Sequence, residues 1–313
     1  MERRKFIRNS FLTAAASITV GHPIAIGSFA GNKNGISLTE NKPFNLDYAI
    51  HDGMFRNHAG DNFLDQIQFA YDNGFRSVED NGMRGRDAET QKKIGQKLAK
   101  LNMKMGVFVA HDIDWQKPSL TSNDKAIQEK FLSQIKESVE VARRCNAKWM
   151  VVVPGIISHN VNIAYQKARV MDTLRKAADI LAPHQLTFLL EPLNFRDHPS
   201  QVLPDVPNIY EMVKSINSPA CKMLFDIYHV QIHTGNIIPN IDLCWDETVY
   251  IQLGDNPGRK EPTSGEINYK NIFLHLDKKG YKGLLGMEHG NSIAGKEGEL
   301  ALIKAYKEVD SFK

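Results

Sequence analysis

Four oxygen-bearing side chains in the second half of the chain each stand at the end of a short apolar, β-branched run. They are Glu191, Asp226, Gln252 and Glu288, separated by 35, 26 and 36 residues. Each interval is about one strand plus one helix long, and in a parallel α/β barrel the carboxyl ends of the strands face one open mouth. Oxygen donors that converge there suit a hard cation, Mg²⁺ or Mn²⁺. The spacing therefore predicts a divalent-metal site.

A single carboxylate after a hydrophobic strand would mean little, because a helix cap or a salt bridge also explains it. Burying such a group is costly unless a cation or hydrogen bonds compensate it. Four in succession favour a shared site, since independent structural roles would not recur in phase with the fold. Gln252 is the unusual member, because an amide oxygen is a weaker ligand than a carboxylate or an imidazole. As a neutral group it also lowers the negative charge of the set.

Three further side chains are candidates for binding a substrate. His229 follows Asp226 by three residues, so we favour a substrate hydrogen bond over a structural role. Arg259 lies in a turn-rich loop, GDNPGRKEP, and its planar guanidinium suits carboxylate or sugar oxygens. A solvated surface loop explains Arg259 equally well. His111 follows the third predicted strand, and it either lines the pocket or belongs to a loop.

The elements that must position these residues form a repeating pattern. From residue 45 onward, short apolar runs alternate with longer amphipathic stretches, which is typical of βα units. The predicted strands are Leu46–Ile50, Ser77–Asp80, Met105–Ala110, Trp149–Val153, Thr187–Glu191, Lys222–Asp226, Val249–Leu253 and Leu284–Glu288. Eight units in roughly 270 residues predict an α/β fold, the (β/α)₈ TIM barrel. A doubly wound sheet is the alternative, but no glycine-rich phosphate loop follows the first strand.

The first residues carry the features of a bacterial export signal. A twin arginine at positions 3 and 4 precedes an apolar run, FLTAAASITVG, and small residues up to Ala30. The twin arginine resembles a Tat signal, and an ordinary Sec signal is the alternative. We predict an export signal over residues 1–30, a linker over 31–44, a single catalytic barrel over 45–313 and a periplasmic location. No later run reaches the ~20 apolar residues of a membrane span.

Composition argues against several other classes of protein. The fractions of hydrophobic and charged residues, 42 % and 24 %, are those of an ordinary soluble globular protein. The net charge of +3, without a basic stripe, gives no indication of a nucleic-acid partner. Cys145, Cys221 and Cys244 are too few for a disulfide framework and form no CxxC pair for zinc, so we expect free thiols.

Four motifs in the second half carry a family resemblance. They are EPLN at 191–194, FDIYH at 225–229, IQLGDNPGRKEP at 251–262 and GEINY at 265–269. Together they resemble the hydroxypyruvate isomerase family, one of the xylose isomerase-like barrels, which also include ketose 3-epimerases. Glutamine at position 252 is the choice of hydroxypyruvate isomerases, whereas ketose 3-epimerases usually carry histidine there.

The resemblance implies an aldose–ketose isomerase that acts on a small hydroxy-carbonyl compound. It implies one divalent cation on Glu191, Asp226, Gln252 and Glu288, catalytic proton transfer by Glu191 and Glu288, and substrate oxygens held by His229 and Arg259, with Glu261 as a weaker candidate. In chemical terms, the metal would polarise a carbonyl while a glutamate moves the proton on the carbon beside it.

Other functions stay open from the sequence. A ketose 3-epimerase or related sugar lyase on the same barrel is the main alternative, because the loop at 79–85 does not match the family pattern and an export signal suggests a different sugar or keto acid. A carbohydrate-binding protein without turnover would not need both glutamates. A DNA-repair nuclease would need more histidine ligands and a positive groove. Superfamily members often associate, so a homo-oligomer is also open.

Overall fold

The computed structural model describes residues 42–312, which lie in one compact unit. The predicted export signal and most of the predicted linker fall outside these residues and remain predictions. The last linker position, Phe44, packs its ring on Tyr48 and Phe75. Phe44 therefore belongs to the packed barrel and not to a linker. No helix among the described residues is long and apolar enough to cross a membrane.

Eight parallel strands form the sheet. They are β1 Asp47–Ile50, β2 Ser77–Val78, β3 Lys104–Met105, β4 Trp149–Val152, β5 Thr187–Leu190, β6 Cys221–Asp226, β7 Thr248–Gln252 and β8 Leu284–Gly286. The hydrogen-bonded order is β3-β2-β1-β8-β7-β6-β5-β4. Parallel bridges between Met105 and Ala147 and between Val109 and Val151 join β3 to β4. The sheet therefore closes on itself, and the predicted (β/α)₈ barrel is confirmed.

Helices cover the outside of the sheet. They are α1 Arg56–Ala59, α2 Phe63–Asp72, α3 Ala88–Lys100, α4 Lys125–Cys145, α5 Ile163–Leu181, α6 Val206–Ile216, α7 Ile227–His233, α8 Ile237–Leu243, α9 Tyr269–Lys278 and α10 Gly295–Val309, with 3₁₀ turns at Met83–Gly85 and Ala182–His184. Helices α2 to α6 and α9 start after an Asn or Asp whose side chain accepts a backbone N–H. Gly74 and Gly280 end α2 and α9 in the left-handed conformation.

Alternation along each strand decides which residues enter the barrel. Phe188 and Leu190 of β5 belong to the large core between sheet and helices, whereas Leu189 belongs to a separate apolar cluster inside the barrel. Side chains two residues apart on a strand share a face. Leu189 and Glu191 therefore point inward, as do Leu224 with Asp226 on β6.

Two predicted strands are much shorter in the structure. Strands β2 and β3 hold two residues each, where runs of four and six were predicted. After β2 the Asp80 carboxylate accepts the Gly82 N–H and starts a 3₁₀ turn. Strand β3 stops before Gly106, which lies against the Tyr250 hydroxyl inside the barrel. The three cysteines are buried free thiols, as expected.

Candidate active site

The four predicted ligand residues occupy four adjacent strands. Asp226 and Gln252 are the last residues of β6 and β7 and pair with each other in the parallel register. Glu191 follows β5 by one residue, and Glu288 follows β8 by two. Because β8, β7, β6 and β5 are neighbours in this order, the two glutamates stand at the ends of a row with the other two ligands between them.

Asp226 serves two purposes at once. Its Oδ1 accepts hydrogen bonds from the backbone N–H groups of Tyr228 and His229, at 2.7 and 3.2 Å, and so caps α7. Its Oδ2 is left for the barrel mouth, where it accepts a hydrogen bond from Arg259 at 2.9 Å. The capping contacts hold the carboxylate in one orientation, so its second oxygen stays aimed at the other ligands.

Arg259 links two of the carboxylates. Its Nη2 lies 2.9 Å from Asp226 and 2.7 Å from Glu288, and its Nε donates to the Glu288 carbonyl at 3.0 Å. The guanidinium also lies over the Tyr228 ring, 4.8 Å from its centroid. Such a cation–π contact on the far face keeps the guanidinium plane in place. Arg259 therefore supplies positive charge inside the cluster.

The loop that carries Arg259 is built from its own hydrogen bonds. The buried Asp255 carboxylate accepts the backbone N–H groups of Asn256, Gly265 and Ile267. Gly265 has no room for a side chain, because a Cβ there would lie 2.2 Å from the Asn256 carbonyl oxygen. These contacts make the loop a rigid support, and the turn-rich sequence does not form a loose surface loop.

His229 points its Nε2 toward two of the ligands. Its Nδ1 accepts the Asn194 backbone N–H at 3.2 Å and the Asn194 side-chain amide at 2.6 Å. A neutral ring therefore carries its proton on Nε2, which lies 3.6 Å from Glu191 and 3.7 Å from Asp226. Burial lowers the pKa of His229 to about 4, so the ring is neutral at physiological pH. A protonated Nε2 is a donor to an oxygen and not a metal ligand.

Both glutamates resist ionisation. Burial raises the pKa of Glu191 well above its usual value, and the charges of Glu288 and Asp226 raise it further. Burial also raises the pKa of Glu288, although Arg259 offsets part of the rise. These carboxyls therefore hold a proton to higher pH than an exposed glutamate does. A group that transfers protons near neutral pH needs a pKa shifted in this direction.

Gln252 provides a direct test of whether these residues fit a cation. Its Oε1 is buried and has no hydrogen-bond partner among the described residues. An unpaired buried carbonyl oxygen costs about 1–3 kcal/mol, so such atoms are rarely left alone. Among residues 42–312, Glu191 and Asp226 have potential ligand atoms within 4.8 Å of each other, in a cluster that also holds the His229 ring and does not include Glu288. Carboxylate oxygens beside an unpartnered amide oxygen match the ligand chemistry of Mg²⁺ and Mn²⁺.

Two predicted substrate ligands do not join the cluster. The buried His111 ring donates from Nδ1 to the Asp112 carbonyl and accepts the Val153 N–H at Nε2, so both ring nitrogens bond to backbone. Glu261 accepts hydrogen bonds from the N–H and hydroxyl of Ser292 and so ties the Arg259 loop to the loop after β8. In this arrangement both residues support the shape of the mouth.

Sequence reasoning missed two residues that contact the ligands. Asn81 donates to Glu288 at 2.8 Å, and Glu79 lies fully inside the barrel, against Tyr250 and Gln252. Glu79 also ends an apolar strand, as the predicted ligands do. Glu79 therefore carries the same sequence signal as the predicted ligands. Asp80 is its neighbour, however, and the sequence does not show which of two adjacent acids faces inward. A cavity of about 310 Å³ opens here, bordered by Glu79, Asn81 and Glu288.

Comparison with known proteins fits this architecture. A family model described as the xylose isomerase-like TIM barrel matches residues 67–307. The chain belongs to this family. The family match spans most of the barrel, including all four predicted ligand residues, and it agrees with the resemblance found in the sequence motifs.

Individual relatives carry related names. A 2-oxo-tetronate isomerase from Pectobacterium atrosepticum is 29 % identical over 231 residues, which is 72 % of this chain and 86 % of the relative. The hydroxypyruvate isomerase of Escherichia coli is 27 % identical over 162 residues, 52 % of this chain and 63 % of the relative. These names agree with the expected class of enzyme, an isomerase of small hydroxy-carbonyl compounds.

A solved structure has the same architecture. The crystal structure of an AP endonuclease, family 2, from Brucella melitensis superposes with a TM-score of 0.73 at 26 % identity, covering 83 % of this chain and 99 % of that one. A ketose epimerase from Clostridium cellulolyticum, D-psicose 3-epimerase, superposes with a TM-score of 0.66 at 16 % identity, over 85 % of this chain and 95 % of that one. The second likeness is one of fold alone.

Proposed function

We propose that this chain is a divalent-metal-dependent isomerase that interconverts the aldose and ketose forms of a small hydroxy-carbonyl acid. The observation that carries the proposal is the row of ligands at the barrel mouth. Two glutamates with raised pKa flank an aspartate and a glutamine whose amide oxygen has no partner. The isomerase names of relatives that match 72 % and 52 % of the chain support the same class of reaction.

Four residues would hold the cation: Glu191, Asp226, Gln252 and Glu288. Three carboxylates and one neutral amide carry a charge that Arg259 and one divalent ion would balance. Mg²⁺ and Mn²⁺ fit best, because all the donors are hard oxygens. A bound ion would supply Lewis-acid stabilisation of the negative charge that develops on the substrate oxygens.

The two glutamates would move the proton. One takes the proton from the hydroxyl-bearing carbon next to the carbonyl, and the electron pair of that C–H bond forms the C=C bond of an enediol. The hydroxyl proton passes to the former carbonyl oxygen, and a proton returns to the former carbonyl carbon. The positions of Glu191 and Glu288 at opposite ends of the row would let them address the substrate from two sides.

Two donors would hold the substrate oxygens in place. His229 presents an Nε2–H between Glu191 and Asp226, and Arg259 presents its guanidinium beside Glu288. The cavity beside Glu288, about 310 Å³, lies at the small end of the ~300–1,000 Å³ range of ligand pockets. Of the four proposed ligands, this cavity borders Glu288 alone. A ketose 3-epimerase on the same barrel is the alternative that the assay must separate.

The test is a metal-reconstitution assay on the full-length protein. After chelation and dialysis, the protein would be supplied with Mg²⁺ or Mn²⁺ and incubated with hydroxypyruvate, 2-oxo-tetronate and a panel of ketoses. We expect isomer formation that depends on added metal and is confined to the small keto acids. Equal turnover before and after chelation would contradict metal dependence, and turnover of ketoses to their C3 epimers alone would establish the alternative.

A further inference from the structure

A buried hydrogen-bonded group lies directly below the proposed ligands. Glu79, only 1 % exposed, projects from the end of β2 into the barrel interior. Its Oε2 accepts the Tyr250 hydroxyl at 2.9 Å, and both of its oxygens lie 3.4 Å from Gln252 Nε2. The side-chain amide of Gln252 therefore has its nitrogen held by Glu79, while its oxygen is the buried atom without a partner.

Two glycines make room for this group. At Gly286 of β8, a Cβ would lie 2.0 Å from Glu79 Oε2 and 2.9 Å from Gln252 Cγ. At Gly106, just after β3, a Cβ would lie 2.4 Å from the Tyr250 hydroxyl. Neither glycine has a positive φ, so their conformations do not require glycine. Glycine is needed there because a side chain would fill the space that Glu79 and Tyr250 occupy. Gly286 leaves this space on β8, and Gly106 leaves it just after β3.

We propose that Glu79 is a positioning residue that fixes the amide of Gln252 with its oxygen turned toward the metal site. The inference rests on the proposed metal site. An amide can rotate by half a turn with little change in shape, and the two orientations differ only in which atom faces the ligands. Because the Glu79 carboxylate is an acceptor, it favours the orientation in which the amide nitrogen points to Glu79 and the oxygen points to the proposed ligands.

The same contact explains why the third ligand is neutral. A glutamate at position 252 would place a second carboxylate against the buried Glu79. An ionised carboxylate has no hydrogen to donate, so Glu79 would lose its donor at position 252 and the two like charges would repel each other. The amide nitrogen of Gln252 donates to Glu79, and the amide oxygen stays available for the cation.

The experiment is a swap of the two side chains, read out by calorimetric titration of Mn²⁺ into the metal-free, full-length protein. Residues that orient a metal ligand typically change metal affinity by about 10–100-fold. We expect Glu79→Gln to weaken Mn²⁺ binding within that range, because an amide at position 79 can donate to the ligand oxygen. Gln252→Glu should weaken binding as well, because the new carboxylate has no hydrogen to donate to Glu79 and nothing then fixes its orientation.

The double variant Glu79→Gln with Gln252→Glu is the decisive one. It reverses the donor and the acceptor, so one oxygen of the new glutamate is free again for the metal. We expect Mn²⁺ affinity to recover to within about threefold of wild type, with tighter binding than either single variant. A double variant no better than the weaker single one would overturn the inference.

Two further variants separate positioning from folding. Glu299→Gln makes the same change at another buried glutamate, which bonds to Asn57 and His58 away from the ligands, and it should leave Mn²⁺ affinity unchanged even if the melting temperature falls. Tyr250→Phe removes one partner of Glu79 and keeps the ring, and it should weaken Mn²⁺ binding by about two- to fivefold. If Glu79→Gln does not fold, Tyr250→Phe with wild-type affinity overturns the inference by itself.

The Mn²⁺ titrations distinguish a failure of the inference about Glu79 from a failure of the proposed metal site. Wild-type protein that binds no Mn²⁺ would overturn the metal site and the inference together. Wild-type protein that binds Mn²⁺ while a folded Glu79→Gln variant binds it equally well would leave the metal site standing and overturn the role of Glu79.

Discussion

The two halves of the barrel mouth differ in how their polar side chains are used. On the β5–β8 side, strand-end residues point oxygens into the mouth, and at least one of these, Gln252 Oε1, has no hydrogen-bond partner among residues 42–312. On the β1–β4 side, the histidines at the strand ends bond to backbone atoms. His51 places its ring nitrogens 2.9 and 3.0 Å from the carbonyls of Asp52 and His289, and His111 bonds to backbone through both of its own.

This difference assigns separate tasks to the two halves. The β5–β8 side has the groups that can bind a cation and move protons. The β1–β4 side supplies a wall, in which Arg86 pairs with Asp52 at 2.7 Å and with Asp80. Under the proposed function, the β5–β8 side would carry out the reaction and the β1–β4 side would bound the substrate. The predictions below test that division, and each addresses one half.

The largest effect is expected at Glu288. Glu288→Gln keeps an oxygen for the cation but cannot take up a proton, so exchange of the substrate α proton should fall by about 10²–10⁴-fold. Metal affinity and melting temperature should change much less. The variant would be measured by proton exchange and by Mn²⁺ titration in parallel. Exchange at the wild-type rate would exclude Glu288 as a proton-transfer group.

The pH dependence of metal binding should be the next largest effect. The raised pKa values of Glu191 and Glu288 mean that both carboxyls retain protons above the pH at which an exposed glutamate ionises. Binding a cation must displace those protons, so affinity should rise with pH by up to about tenfold per unit for each proton released. It should level off once both groups are ionised in the free protein. Calorimetry in two buffers of different ionisation enthalpy counts the protons, and a count of zero would contradict the raised pKa values.

Arg259 should have a smaller effect, on substrate binding. Arg259→Ala removes a donor and a positive charge beside Glu288, and we expect KM to rise about tenfold with a lesser change in kcat. Arg259→Lys is the matched variant, because it keeps the charge and loses the planar donor pair. Its KM should lie between the values for the wild type and for Arg259→Ala. A KM unchanged in both variants would limit Arg259 to holding the two carboxylates.

The smallest effect on catalysis is expected in the other half of the mouth. His111→Phe preserves an aromatic ring but leaves the Val153 N–H without its acceptor, which should cost about 1–3 kcal/mol of the free energy of unfolding. Mn²⁺ affinity should stay at the wild-type value. Denaturant unfolding and metal titration give the two numbers. Unchanged stability with a raised KM would return His111 to the role of substrate ligand.

The sequence predicted the β5–β8 half well for a physical reason. There each ligand ends a buried strand, and the alternation of apolar residues settles which way the ligand points. Asp226 is the simplest case, since Leu224 two residues earlier already lies inside the barrel. Arg259 was predicted on weaker grounds, and its contacts depend on the hydrogen-bonded loop around Asp255.

The contacts of Glu79 and Asn81 were beyond reach of local patterns. Glu79 meets Tyr250 across 171 positions of sequence, and Asn81 meets Glu288 across 207. Both contacts depend on the strand order β2-β1-β8-β7 in the sheet, which no spacing between neighbouring residues encodes. Short strands added to the difficulty, because two residues are too few to show which face is buried.

Proton NMR of the Mg²⁺-loaded full-length protein in D₂O is the most direct test of the two-glutamate site. Hydroxypyruvate, 2-oxo-tetronate and a panel of ketoses would be followed over time, with Glu288→Gln as the inactive control. We predict deuterium at the hydroxyl-bearing carbon next to the carbonyl of a small keto acid, together with formation of its aldehyde isomer. Deuterium only at C3 of a ketose would indicate epimerisation. No exchange into any compound, with metal bound, would contradict the proposed enediol chemistry.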